Sequence, residues 1–79
     1  MGIVIMNGDM WQGMYINGEL VHENHRIYLD EFTRFLEEYC KGEVIGELEF
    51  SHEYCDYDWL EERGNLPEKY EDVKTVPYV

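Results

Sequence analysis

From Asp30 to Lys41 the apolar residues Phe32, Phe35, Leu36, Tyr39 and Cys40 recur at the spacings that return side chains to one face of an α-helix. Asp30 is placed to cap the start of that helix and Gly42 to end it in a left-handed turn. Arg34 with Glu38 and Glu37 with Lys41 stand four apart on its outer face. The period then changes to two. Between Glu43 and Cys55 the even positions read Val44, Gly46, Leu48, Phe50, His52 and Tyr54, while the odd ones read Glu43, Ile45, Glu47, Glu49, Ser51 and Glu53. This alternation predicts a half-buried strand that packs Leu48, Phe50 and Tyr54 against the helix and leaves Glu47, Glu49 and Glu53 in solvent.

Before the helix, Asn-Gly occurs at Asn7-Gly8 and at Asn17-Gly18, and both residues of such a pair tolerate the positive φ of a tight hairpin turn. The second pair joins the strand-like runs Trp11–Ile16 and Glu19–Glu23, and the first can add Ile3–Met6 as a third strand. Beyond the long strand, Asp58–Arg63 suits one helical turn ended by Gly64. Pro67 suits the first turn of another short helix reaching Tyr70 or Val73, and Pro77 argues against a central strand at the end of the chain. The expected fold is α+β. It has a small antiparallel sheet (a β-hairpin or three-stranded meander, and the strand after the helix), one main amphipathic helix and short C-terminal helical turns.

The 79 residues make a single domain, 1–79, and 44% hydrophobic with 15% aromatic residues supply enough apolar surface for a core. Eighteen acids against six bases give a formal charge of −12, which repels nucleic acid and anionic membrane and attracts basic surfaces. A macromolecular partner is therefore expected to be a basic protein surface, with no direct nucleic-acid binding. No apolar run reaches a membrane-spanning length, and Ile3–Met6 lacks the length and charged flank of a signal peptide, so a cytoplasmic location is expected. In that compartment Cys40 and Cys55 are expected as free thiols.

Candidate chemistry changes this picture little. His22 and His25, with His52 and Cys55, offer four nitrogen and sulfur ligands in two pairs of like spacing. Residues three apart on an extended strand point to opposite faces, however, so neither pair converges on one ion, and no metal site is expected. A catalytic thiol is disfavoured because Cys40 lies on the apolar helix face and Cys55 stands among Glu53, Asp56 and Asp58, which raise its pKa. No phosphate-binding glycine loop or nucleophile elbow is present. No catalytic residue and no cofactor is expected, and the reading is of a protein that is not an enzyme.

The acids themselves carry the functional expectation. Eleven of the 18 follow Gly42, with only Arg63, Lys69 and Lys74 to offset them. Glu47, Glu49 and Glu53, on one strand face at about 6.6 Å per two residues, resemble a row of phosphates, which duplex DNA spaces at about 3.4 Å on each strand. Asp56, Asp58, Glu61, Glu62, Glu68, Glu71 and Asp72 continue the charge, and Tyr57 and Trp59 are set among them. Aromatic anchors beside steering charges are an interface composition, and these residues make up the candidate partner-binding surface.

The run Tyr15-Ile16-Asn17-Gly18-Glu19-Leu20-Val21, the acidic helix at Asp30-Glu31-Phe32 and the stretch Glu53-Tyr54-Cys55-Asp56-Tyr57 together resemble one subdomain of the ArdA-type antirestriction proteins. Members of that family mimic the phosphate pattern of duplex DNA and occupy the DNA groove of type I restriction enzymes. More broadly, the chain resembles small inhibitors, encoded by phages or mobile elements, that jam host defence proteins such as restriction or CRISPR components. The resemblance implies a non-enzymatic acidic inhibitor acting in the host cell cytoplasm. The residues leave a second reading open: a small oligomeric structural or regulatory protein, a homodimer for instance, whose apolar and aromatic surface is the interface and whose acids only solubilise it.

Overall fold

The computed structural model describes residues 2–40 and 49–77. Among these residues five strands form one sheet in the order β3-β2-β1-β4-β5, with β1 at Gly2–Gly8, β2 at Trp11–Ile16, β3 at Glu19–Asn24, β4 at Glu49–Cys55 and β5 at Thr75–Val76. The helix α1 spans Leu29–Cys40, a shorter helix α2 spans Tyr57–Arg63, and Tyr70–Asp72 make a single 3₁₀ turn. The fold is thus α+β, a small sheet with one main helix. One strand pairing departs from the antiparallel expectation: β1 and β4 run parallel, Ile3 opposite Phe50 and Ile5 opposite His52. The chain cannot make that pairing through a tight turn, because parallel strands need a crossover, and α1 supplies it.

Ile3–Met6 is the middle of the sheet. Its unbroken apolar run suits a strand covered on both faces. Ile3 and Ile5, with Met14 and Ile16 of β2, face α1 through Phe32, Phe35 and Leu36. Met6 and Tyr15 face the opposite way, into a second core completed by Cys55, Leu60, Leu66 and Val73. The molecule therefore has three layers. The third, made of α2 and the C-terminal segment, is what the alternating pattern of β4 conceals. Phe50 meets Phe32 edge-on at 5.7 Å but is 48% exposed, and His52 on the same even-numbered face is exposed as well, so that face is not buried against α1 as expected. The odd face is no solvated row: Cys55 is fully buried and Glu53 accepts a hydrogen bond from the Tyr70 hydroxyl. Glu43 to Leu48, including Glu47, and the expected helix stop at Gly42 lie outside the described residues.

The turns divide in the same way. At Asn17-Gly18 both residues take positive φ, 50° and 84°, and close the expected hairpin between β2 and β3. Asn7-Gly8, by contrast, stays in β1, and the chain reverses at Asp9-Met10. Asn7 accepts from Gln12 and donates to the carbonyls of Ile5 and Glu53, so its amide ties three strands together. A remote element packs onto Gly8: a Cβ there would lie 2.3 Å from the Leu60 side chain of α2, which would have to shift. α1 starts one residue before Asp30, and the Tyr28 N–H donates to Glu31, half of a capping box. Tyr39 is exposed instead of packed with Phe35 and Leu36.

Candidate acidic binding surface

α2 opens on Asp56, whose carboxylate accepts from the Trp59 N–H at 3.0 Å, and closes on Gly64 at φ 92°. Its one buried side chain is Leu60. With Leu60 turned inward, Asp58, Glu61 and Glu62 stand on the outer side at helical neighbour spacing, all exposed. Tyr57 is exposed beside them, whereas Trp59 is half-buried against the second core with the Arg63 guanidinium 5.9 Å from its ring. Farther along, Glu68, Glu71 and Asp72 are exposed around the 3₁₀ turn, and Glu49 is exposed at the start of β4.

Two expected surface acids have structural work instead. Glu53 is held by Tyr70 and by Ser51, on the face of β4 covered by the C-terminal segment. Asp56 caps α2 and lies 3.5 Å from Lys74. Other carboxylates outside the predicted set are similarly engaged. Glu23 accepts from the Trp11 indole, Glu19 pairs with Lys69 at 2.9 Å, and Glu31 pairs with His22 at 2.7 Å. The three basic residues of the C-terminal half are thereby all turned onto partners of their own: Arg63 onto Trp59, Lys69 onto Glu19 and Lys74 onto Asp56. None forms an ion pair with Asp58, Glu61, Glu62, Glu68, Glu71 or Asp72.

These partners move proton affinities in consistent directions. The Trp59 N–H holds the Asp56 carboxyl below its ordinary value, with Lys74 adding to the effect, and the His22 ring does the same for Glu31. Burial pushes the Cys55 thiol up, which keeps it protonated and unreactive. The bond to Glu53 pushes the Tyr70 phenol up to about 12. A carboxyl depressed in the folded state stabilises above its unfolded pKa and loses that contribution as pH falls through the folded one. Asp56→Ala should therefore lower the thermal midpoint by several degrees at neutral pH, and the gap from the parent should close on acidification below the aspartate range. A gap independent of pH would contradict the capping role.

The four candidate metal ligands are dispersed. His22 stacks on Phe35 at 4.4 Å, His25 meets Trp11 edge-on at 5.0 Å, His52 lies against Phe50 at 5.3 Å, and Cys55 is in the opposite core. Among the described residues no three His, Cys, Asp or Glu side chains group to hold an ion. Nor is any helix among them long and apolar enough to cross a membrane. One assembly left no sign in the sequence. The β1–β2 turn is brought against α2, and Asp9, Met10, Trp11 and His25 share a cleft with Tyr57, Leu60, Glu61 and Gly64. These groups stand some thirty to fifty residues apart and follow no common period; tertiary contacts join them, among them Leu60 against Gly8 and Glu23, which accepts from both the Trp11 indole and the Leu66 N–H. Compared with protein families, with characterised proteins and with solved structures, the chain finds no match.

Proposed function

We propose that this chain is a non-enzymatic acidic inhibitor that binds a basic, nucleic-acid- or nucleotide-binding surface of a host defence protein. The observation that supports the reading is the sorting of charge in the C-terminal half. Its basic side chains engage Trp59, Glu19 and Asp56, which leaves the carboxylates of α2 and the 3₁₀ turn exposed and outside any ion pair among the described residues, with Lys69 offsetting Glu68 and Glu71 only at longer range. Like charges at neighbouring helical positions destabilise α2 slightly, and a basic partner removes that repulsion on binding. The resemblance to ArdA-type proteins points the same way, toward a restriction component as the partner and duplex DNA as the mimicked ligand. The surface differs from a straight row of phosphates, because Glu53 is withdrawn from it. The acids of α2, Glu68, Glu71 and Asp72 are the mimic in this reading.

The test is capture of the partner on the immobilised chain from a bacterial host lysate, followed by washing with duplex DNA. A basic protein released by DNA is the expected result. A partner that DNA leaves in place would overturn the nucleic-acid-site reading and favour the oligomeric or apolar-interface one.

A further inference from the structure

The cleft between the β1–β2 turn and α2 has a volume of about 450 Å³ and combines groups that together suit a cation. Trp11, His25 and Tyr57 bring aromatic rings to its lining, Asp9 and Glu61 bring carboxylates, and among the described residues no lysine or arginine lines it. Neither Asp9 nor Glu61 forms an ion pair among the described residues, since the cations nearest in sequence to α2 are held elsewhere. Its aromatic wall is fixed in advance. The Trp11 indole N–H donates to Glu23 at 2.8 Å, and the His25 ring packs edge-on against the Trp11 ring. On the opposite side, Leu60 anchors α2 in the second core and so sets the position of Tyr57 and Glu61.

We infer that this cleft receives the guanidinium group of an arginine carried by the basic partner, an inference that rests on the acidic-surface reading and gives it an anchor point. A ring face attracts a cation through its quadrupole, and the attraction grows as water is excluded. Arginine fits better than lysine because its planar group stacks on rings while its N–H fork meets carboxylates, here Asp9 and Glu61. An uncharged apolar ligand would desolvate both carboxylates without compensation. The exposed acids of α2 steer the partner in this picture, and the cleft fixes its register.

The experiment titrates the isotope-labelled chain with the blocked tripeptide Gly-Arg-Gly and follows the Trp11 indole N–H and the Gly64 amide by NMR. Its citrulline counterpart, isosteric but neutral, and its lysine counterpart serve as the other arms. Saturable shifts at Trp11, His25 and Gly64 are expected with arginine. Affinity should fall roughly tenfold with citrulline, and by a similar factor in Tyr57→Ala and Glu61→Gln. Both replaced side chains are exposed, so unchanged β1 and β2 amide shifts in the variants will show that the fold is kept. Equal binding of citrulline, or shifts spread over Glu68, Glu71 and the remaining acids, would overturn the inference. Equal binding of the lysine peptide would overturn the assignment to a guanidinium. The peptide arm needs no partner. If it fails while a DNA-releasable partner is still captured, the cleft inference falls alone; if it succeeds without such a partner, the inhibitor reading falls alone.

Discussion

Tyr15→Ala should leave the chain largely unfolded at room temperature. Tyr15 is fully buried in β2 and belongs to the second core with Met6, Cys55, Leu60, Leu66 and Val73. Its hydroxyl donates to the Pro67 carbonyl at 2.6 Å, and its ring meets Tyr70 edge-on at 6.0 Å. One side chain thus ties the sheet to the segment that forms the third layer. Removing a buried aromatic costs about 3–5 kcal/mol through lost burial and the cavity left behind. A domain of this size rarely has more than about 3–5 kcal/mol in total from its core. Tyr15→Phe isolates the polar part: the Pro67 carbonyl is left unpartnered, at a cost of about 1–3 kcal/mol. Denaturant melts should therefore rank parent, Tyr15→Phe and Tyr15→Ala in falling order. A Tyr15→Ala variant as stable as the parent would mean that the C-terminal segment does not pack on the sheet as described.

The second large effect concerns association. Reversing Asp58 and Glu62 to lysine, or Glu68 and Glu71 to lysine, should slow binding to the captured partner by about tenfold or more at low salt. Stability should change little, because all four side chains are exposed and none is in an ion pair among the described residues. Asp56 and Glu53 are unsuitable for the same experiment. Their reversal would break the α2 cap or the Tyr70 bond and confuse lost folding with lost binding. The slowing should shrink as salt rises, since screening already removes the steering that the substitutions abolish. Stopped-flow association rates of the two double variants check this. A change confined to dissociation would point to direct contacts without steering.

What was legible in the sequence follows from how local each determinant is. α1 was readable because Phe32, Phe35 and Leu36 repeat within a few turns, and the Asn17-Gly18 hairpin because its φ requirement falls on two adjacent residues. Asn7-Gly8 carries the same local signal and does not turn. Asn7 is occupied by contacts to Gln12 and Glu53, and Gly8 by the approach of Leu60, none of which local propensity contains. The alternation of β4 misleads about burial, since Phe50 and His52 of the apolar face are exposed while Cys55 of the other face is buried: a period of two cannot say that a later segment covers the polar face. That is why Glu53 was expected in solvent and is found against Tyr70. The candidate surface divides likewise. The outward set of Asp58, Glu61 and Glu62 follows from their spacing around Leu60, whereas the pairing of Lys69 with Glu19, fifty residues away, depends on tertiary structure alone.

The most direct measurement of the central claim is the equilibrium affinity of the parent chain for its captured partner as a function of salt. Exposed carboxylates in excess over the nearby cations, docked on a basic groove, predict an affinity that falls steeply and continuously as ionic strength rises from low to well above physiological, with the charge-reversed variants following a shallower line. An affinity that holds constant or strengthens over that range would contradict the account and assign the interface to the apolar surface instead.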